Sequence, residues 1–111
     1  MDRFTLPKAH LLRKTGEFQR VYRSGQRHRG NGFTVIVMPN TLPWNRLGIS
    51  VQRKTGNAVR RNRVKRLVRE VFRLNRGDFP AHCDVVIAVR PDFSLDSFAA
   101  LRADIARTLC G

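Results

Sequence analysis

The side chains best suited to binding a ligand are the arginines and lysines crowded into residues 56–76, where Glu70 is the one acidic residue. Apolar residues in this stretch recur at i, i+3, i+4, i+7 and i+8, the spacing of one buried helical stripe: Val64, Leu67, Val68, Val71 and Phe72. A turn of about 100° per residue places the cationic side chains on the opposite side. Gly56 and Asn57 supply a turn residue and an N-cap. The sequence therefore predicts an amphipathic helix with a cationic face.

The chemistry that this face favours is phosphate binding, because the planar fork of Arg pairs two phosphate oxygens at once. The residues opposite the stripe, on its flank or in the first turn are Arg60, Arg61, Asn62, Arg63, Lys65, Arg66, Arg69 and Arg73. Their like charges repel one another at i, i+3 and i+4, and a bound polyanion relieves that repulsion. A solvated surface and a membrane surface are the alternatives, although the narrow apolar stripe favours burial in a protein core over a bilayer.

The charge of the whole chain is asymmetric. The 111 residues carry a net charge of +14. Residues 1–76 hold 19 basic and 3 acidic side chains, whereas residues 77–111 hold 3 basic and 5 acidic ones. Such asymmetry indicates a binding face in the first two thirds of the chain. The length predicts one domain, residues 1–111, and a hydrophobic content of 41% is enough for a folded core.

No hydrolytic or metal-binding constellation is recognisable in the sequence. His10, His28 and His82 are dispersed, and none has a neighbouring carboxylate that would form an acid–base pair. Cys83 and Cys110 lack CxxC spacing and are typical of reduced thiols in a cytosolic protein. No apolar run is long enough for a transmembrane helix, and the first residues lack the apolar core of a signal peptide. We therefore expect a cytoplasmic protein, and the sequence marks no residues as metal ligands.

The elements before the basic helix would form the rest of the binding face. Residues 1–14, which are basic and contain a proline, predict an extended arm. Thr15 can cap a helix that ends at Gly25, and this helix has Phe18 and Tyr22 on its apolar ridge. The two rings either pack in the core or stand at a groove edge and stack on nucleic-acid bases.

Strand patterns surround the basic helix. Residues 33–38 and 46–52 predict two strands that pair as an antiparallel hairpin, after a polar link at residues 26–31. Residues 84–90 predict a buried strand in the same sheet as residues 46–52, with the basic helix as the bridge. One face of strand 46–52 is small and polar, which suits the floor of an open groove. Ser94 is the expected cap of a last, nearly neutral helix.

Residues 50–69, SVQRKTGNAVRRNRVKRLVR, closely resemble the signature of the bacterial ribonuclease P protein subunit. Its centre is Arg61-Asn62-Arg63, and Lys65-Arg66 and Arg69 follow. Residues 17–25, EFQRVYRSG, are similar to the first helix of that family, and the resemblance covers nearly the whole chain. It implies a small α+β two-layer sandwich like the second domain of ribosomal protein S5, with a left-handed βαβ crossover.

The resemblance also implies a function. The protein would be the noncatalytic subunit of an endoribonuclease whose catalytic RNA removes the 5′ leader of precursor tRNA, using Mg²⁺ bound mainly by the RNA. The implied partners are that catalytic RNA and precursor tRNA, with no membrane and no obligate protein partner. The cationic face of the helix would contact the RNA subunit. The leader would lie in a groove formed by Phe18, Tyr22, Phe33, Ser50, Gln52, Arg53, Lys54 and Arg90.

Two other functions compete with this one. A ribosomal or RNA-chaperone protein could use the same α+β platform and basic helix. A helix-turn-helix DNA-binding protein fits less well, because strands flank the basic helix and no short-turn helix pair precedes it.

Overall fold

Three helices and four strands make up the fold in the computed structural model, which describes residues 6–95 and 97–110. In chain order they are α1 (Thr15–Ser24), β1 (Gln26–Arg29), β2 (Phe33–Pro39), β3 (Arg46–Val51), α2 (Ala58–Leu74), β4 (Cys83–Val89) and α3 (Phe98–Cys110). The predicted α+β class is confirmed. The predicted arm begins outside the described residues, and from Leu6 onward its buried Leu6 and Leu12 hold it against the body.

The sheet has the spatial order β1-β2-β4-β3. β4 pairs antiparallel with β2, with Val35 opposite Ile87, and parallel with β3, with Ile49 opposite the same Ile87. The predicted hairpin between residues 33–38 and 46–52 is therefore wrong. β4 is an apolar strand buried on both faces, and the central position between β2 and β3 provides that burial.

The connection from β3 through α2 to the adjacent parallel β4 confirms the predicted βαβ unit. Its left-handedness stays a prediction from the resemblance. The predicted link at residues 26–31 instead contains β1, which pairs antiparallel with β2 at the sheet edge. Its sequence, Gln-Arg-His-Arg, has no apolar alternation to indicate a strand, but charged residues are well tolerated on an edge strand.

One face of the sheet carries the main core. The buried side chains of Val85, Ile87 and Val89 pack there in one cluster with residues of α2 and α3. The predicted stripe of α2 is confirmed: Leu67 is partly buried, and four residues are buried, namely Val64, Val68, Val71 and Phe72. The last helix begins after Ser97, whose Oγ accepts a hydrogen bond from the Ala100 N–H at 3.2 Å. The predicted cap at Ser94 was therefore three residues too early.

The other face of the sheet is covered at one end by α1. Val21 of α1 and Leu12 of the arm pack on Ile36 and Val86, two buried residues of β2 and β4. The helix begins at Thr15 but is capped through Glu17, whose Oε1 accepts hydrogen bonds from the backbone N–H groups of Arg13 at 3.1 Å and Lys14 at 3.2 Å. This helix therefore covers only part of the face, and the rest is open.

A buried ion-pair network attaches α1 to the sheet. The Arg46 guanidinium donates to both carboxylate oxygens of Asp84, at 2.8 and 2.7 Å, and to Glu17 Oε2 at 3.1 Å. Asn40 Nδ2 donates a further bond to Asp84 at 2.9 Å. Burial by itself would raise the pKa of Asp84, but the hydrogen bonds from Arg46 and Asn40 and the charge of Arg46 outweigh it, so the pKa is lowered. One carboxylate therefore joins β3, β4 and the loop after β2.

We predict that Asp84→Asn lowers the free energy of unfolding by about 3 kcal/mol, because it leaves the half-buried Arg46 without its main counter-charge. Because the folded pKa of Asp84 is lowered, its contribution is fully present above the ordinary carboxyl pKa of about 3.9 and is lost as the pH falls below it. Urea unfolding between pH 7 and pH 3 should show the difference between the two proteins narrowing with acid. Asp92→Asn, whose carboxylate is exposed, is the matched control and should behave as wild type. A constant difference across this pH range would contradict the assignment.

Candidate nucleic-acid interface

The start of α2 is fixed by local backbone geometry. Asn57 caps the helix through its Oδ1, which accepts a hydrogen bond from the Arg60 N–H at 3.0 Å. Gly56 has φ 156°, and a Cβ at this position would lie 2.7 Å from Arg60 Cδ. Glycine is therefore required where the chain turns from β3 into the helix. The Gly-Asn pair sets the direction of the helix and, with it, the direction of its cationic face.

Four cations of α2 have no partner among residues 6–95 and 97–110. Arg63, Arg66 and Arg69 are exposed and Lys65 is partly buried, and Asn62 lies beside them in solvent. Within the described part of the chain, none of the four cations forms a hydrogen bond or ion pair with a protein group. No hydrogen bond or ion pair within the described residues relieves their mutual repulsion, so this face attracts polyanions.

The other three predicted arginines of α2 are engaged within the protein. Arg60 donates to the carbonyl oxygens of Thr55 at 3.1 Å and Phe93 at 2.8 Å. Arg61 donates to the Gly56 carbonyl at 2.7 Å. Arg73 pairs with Glu70 at 2.8 Å, and the hydrogen bond from Arg73 lowers the pKa of Glu70. Arg60 and Arg61 thus hold the helix start, and Arg73 is partly neutralised.

A row of small side chains crosses the open part of the sheet. Arg29 of β1 lies opposite Thr34 of β2, Thr34 lies opposite Ala88 of β4, and Ala88 lies opposite Ser50 of β3. Because side chains alternate along a strand, all four are on the face that α1 partly covers. Thr34, Ala88 and Ser50 are half-buried and Arg29 is exposed. The row is a shallow polar floor with a cation at its β1 end, and Arg29 was absent from the predicted site.

Phe18 forms the wall of this floor nearest α2. A Cβ on Gly48 would lie 2.8 Å from the Phe18 ring, so the ring occupies the space that a side chain of β3 would otherwise fill. Tyr22, one turn later, is half-buried on the same helix, and Arg27 lies over its ring at 5.9 Å and donates to its carbonyl. Both rings pack against the core and remain partly exposed, so core packing does not prevent either ring from stacking on a base.

A pocket of about 180 Å³ joins the aromatic wall to the basic helix. Phe18 lines it together with Lys65 and Arg69 of α2, and Arg13 of the arm contributes a third cation. The rest of the lining is apolar and consists of Leu11, Leu12, Leu47 and Ile49. The structure thus brings together residues that are 56 positions apart in the sequence, Arg13 and Arg69, around one aromatic ring. This arrangement suits a phosphate beside a stacked base.

Phe33 does not belong to the groove, and this prediction is corrected. Its side chain is 0% exposed and packs edge-on against Phe93 with ring centroids 6.4 Å apart. Phe33 alternates with Thr34, so it points to the core face while Thr34 points to the floor. The apolar run of β2 does not show from sequence which of its faces is open.

The other predicted groove residues lie on its rim. Gln52, Arg53 and Lys54 are exposed where β3 turns towards α2. Arg90 follows β4, and its guanidinium donates to Thr34 Oγ1 at 2.8 Å and to the Gly30 carbonyl at 3.0 Å. Arg90 is therefore held over the end of the floor, with its charge partly balanced by Asp92 at 3.5 Å.

Two further features concern metals and membranes. Among residues 6–95 and 97–110, no three His, Cys, Asp or Glu side chains gather in a way that could hold a metal ion. No helix in the same residues is long and apolar enough to cross a bilayer.

Comparisons with known proteins agree with one another. A family model described as Ribonuclease P matches residues 6–110. A ribonuclease P protein component of Desulfotalea psychrophila is 50% identical over 111 residues, which are 100% of this chain and 92% of the relative. The RNase P protein of Staphylococcus aureus superposes with a TM-score of 0.82 at 31% identity, over 93% of this chain and 94% of that one. The RNase P protein of Thermotoga maritima superposes with a TM-score of 0.77 at 35% identity, over 86% of this chain and 91% of that one.

We predict that Gly48→Ala destabilises the fold by about 1–3 kcal/mol, because the new methyl group displaces the Phe18 ring. Phe18→Ala in the same protein should make room for the methyl group, so the double variant should lose less stability than the sum of the single variants. Thermal and urea unfolding of the four proteins measure this. Gly16→Ala is the control, since a Cβ there meets nothing within 4 Å. Strict additivity would show that Phe18 does not lie on Gly48.

Proposed function

The chain belongs to the ribonuclease P protein family, and from this premise we propose that it binds the RNA subunit of ribonuclease P and the 5′ leader of precursor tRNA. The observation that carries the proposal is the set of four cations on one face of α2 that have no partner in the part of the chain the structure describes, next to the pocket that contains Phe18. A rigid helix face on which cations far outnumber the single carboxylate, Glu70, suits the phosphates of a folded RNA. We assign the RNA subunit to this face.

We assign the leader to the open floor of the sheet. The floor offers Thr34 and Ser50 hydroxyls, the small Ala88 and the cation of Arg29, and its wall is the Phe18 ring. Stacking on an aromatic ring tolerates every base, and short polar side chains leave room for a sugar–phosphate chain. Such a groove suits single strands of differing sequence, as the leaders of different precursor tRNAs would be.

The division of labour follows from the kinds of side chain present. We propose that the RNA subunit performs the hydrolysis with Mg²⁺ held mainly by its phosphates, while the protein supplies positive charge and a binding groove. A net charge of +14 reduces the repulsion between the RNA subunit and precursor tRNA, and so reduces the Mg²⁺ needed to bring them together. The proposed location is the cytoplasm, without a membrane or an obligate protein partner.

We expect Arg66→Ala to weaken binding of the RNA subunit about fivefold at moderate salt, because one phosphate contact is lost. The slope of log affinity against log salt should fall by about 0.7 to 0.9 for that contact. Filter binding or calorimetry over a series of KCl concentrations measures both quantities. Arg102→Ala is the matched control, since this exposed arginine is on α3 and pairs with Asp78. Equal losses in the two variants would assign binding to net charge alone and not to the face of α2.

We expect the wild-type protein to stimulate cleavage of precursor tRNA by the RNA subunit at low Mg²⁺, and Phe18→Leu to lose part of this effect. Leucine keeps an apolar side chain over Gly48 but offers no ring for stacking, which is worth about 1–3 kcal/mol per base. The affinity for a substrate with a long leader should therefore fall at least fivefold, and the affinity for leaderless tRNA should not change. An equal loss with both substrates would remove Phe18 from the leader groove. Absence of any stimulation by the wild-type protein would refute the proposed function.

A further inference from the structure

A second pocket lies at the opposite end of the sheet from the Ser50 row. It has a volume of about 540 Å³ and is formed where three loops meet: the residues before β3, after α2 and before β4. Its lining includes Trp44, Asn45, Arg76, Ala81 and His82. Asn45 and Ser50 are five residues apart on an extended chain, which separates the pocket from the groove floor by about 16 Å.

Trp44 is held in a fixed orientation at this pocket. The His10 ring stacks on it, with centroids 4.7 Å apart and an angle of 18° between the planes. The indole Nε1–H donates to the Ala9 carbonyl at 3.2 Å. His10 therefore covers one face of the indole, while the ring also borders the open pocket. A large aromatic side chain with one face already stacked is a suitable platform for a second flat group.

Arg76 gives the pocket a fixed positive charge. Its guanidinium donates to Asn45 Oδ1 at 2.8 Å and to the Asn45 carbonyl at 2.7 Å, and it lies 4.7 Å above the Phe72 ring. A third contact joins Arg76 Nη1 and His10 Nδ1 at 3.1 Å. Arg76 therefore links the arm, the loop before β3 and the end of α2, so the pocket exists without a ligand.

The lining combines aromatic surface, amide and imidazole groups and one cation, and it contains no carboxylate. Trp44 offers stacking, and the exposed His82 ring offers hydrogen bonding, whereas the buried Asn45 amide is already bonded to Arg76 and to the Pro80 carbonyl. Arg76 attracts an anion. We propose that this pocket binds one unpaired nucleotide of single-stranded RNA, with the base against Trp44 and its phosphate towards Arg76. The inference rests on the proposed RNA-binding function, but it concerns a site that the leader groove does not include.

Trp44 is the one tryptophan of the chain, so its fluorescence reports on this pocket directly. The full-length protein is titrated with a labelled adenosine hexaribonucleotide, and both anisotropy of the label and Trp44 emission are recorded. We expect saturable quenching of Trp44 as the hexamer binds.

The matched variants are Ala81→Glu and Ala103→Glu. Both alanines are exposed, and each change adds the same negative charge, but only Ala81 lines the Trp44 pocket. We expect Ala81→Glu to abolish the quenching and to weaken hexamer binding about five- to tenfold more than Ala103→Glu does. Circular dichroism of both variants confirms that the fold is retained.

The outcomes separate this inference from the proposed function. Hexamer binding without a change in Trp44 emission, or equal weakening by the two glutamate variants, overturns the nucleotide site and leaves the RNA-binding function standing. Absence of any anisotropy change, together with absence of binding to the RNA subunit, overturns both.

Discussion

Burial of the apolar stripe of α2 against the sheet is the constraint on which the rest of the structure depends. Val68 and Phe72 are fully buried, and the helix has no freedom to rotate without exposing them. At roughly 1.5–3 kcal/mol for each large apolar side chain removed from water, the four buried residues of the stripe outweigh the repulsion among the arginines on the other side. The core therefore holds the cations in place, and no carboxylate is needed to do so. A binding surface can then remain charged because its stability comes from the opposite face of the same helix.

The two sides of the sheet have different tasks. The α2 and α3 side supplies the continuous core, whereas the α1 side is covered only in part and leaves Thr34, Ala88 and Ser50 accessible. The position of α1 depends on the buried Asp84 network and on the missing side chain at Gly48. These features place an aromatic ring beside a polar strand surface, which neither the helix nor the strand would provide alone.

The sequence predicted the parts of the structure that depend on local patterns, and it failed where the partner is distant along the chain. The α2 stripe and its Asn57 cap follow from residues within one helix. Strand pairing is not local: β4 separates β2 from β3, and only the burial of β4 on both faces hints at its central position. The sequence identified the cationic residues of α2 as one group. It did not show that Arg60, Arg61 and Arg73 bond within the protein while the other cations face solvent. Arg60 bonds to the Phe93 carbonyl, 33 positions away, and no residue pattern marks such a contact. The predicted groove position of Phe33 was wrong for a related reason, since an apolar run does not reveal which side of its strand a helix covers.

β4, the inner strand that joins β2 to β3, is also the last of the four strands to leave the ribosome, because it begins at Cys83. Until it emerges, β2 and β3 have no common neighbour and the stripe of α2 has no completed surface to pack on. A growing chain thus displays its most cationic segment before it has a core. β1 and β2 can pair earlier, but completion of the sheet is a late event in synthesis, and the α3 helix that follows closes the core.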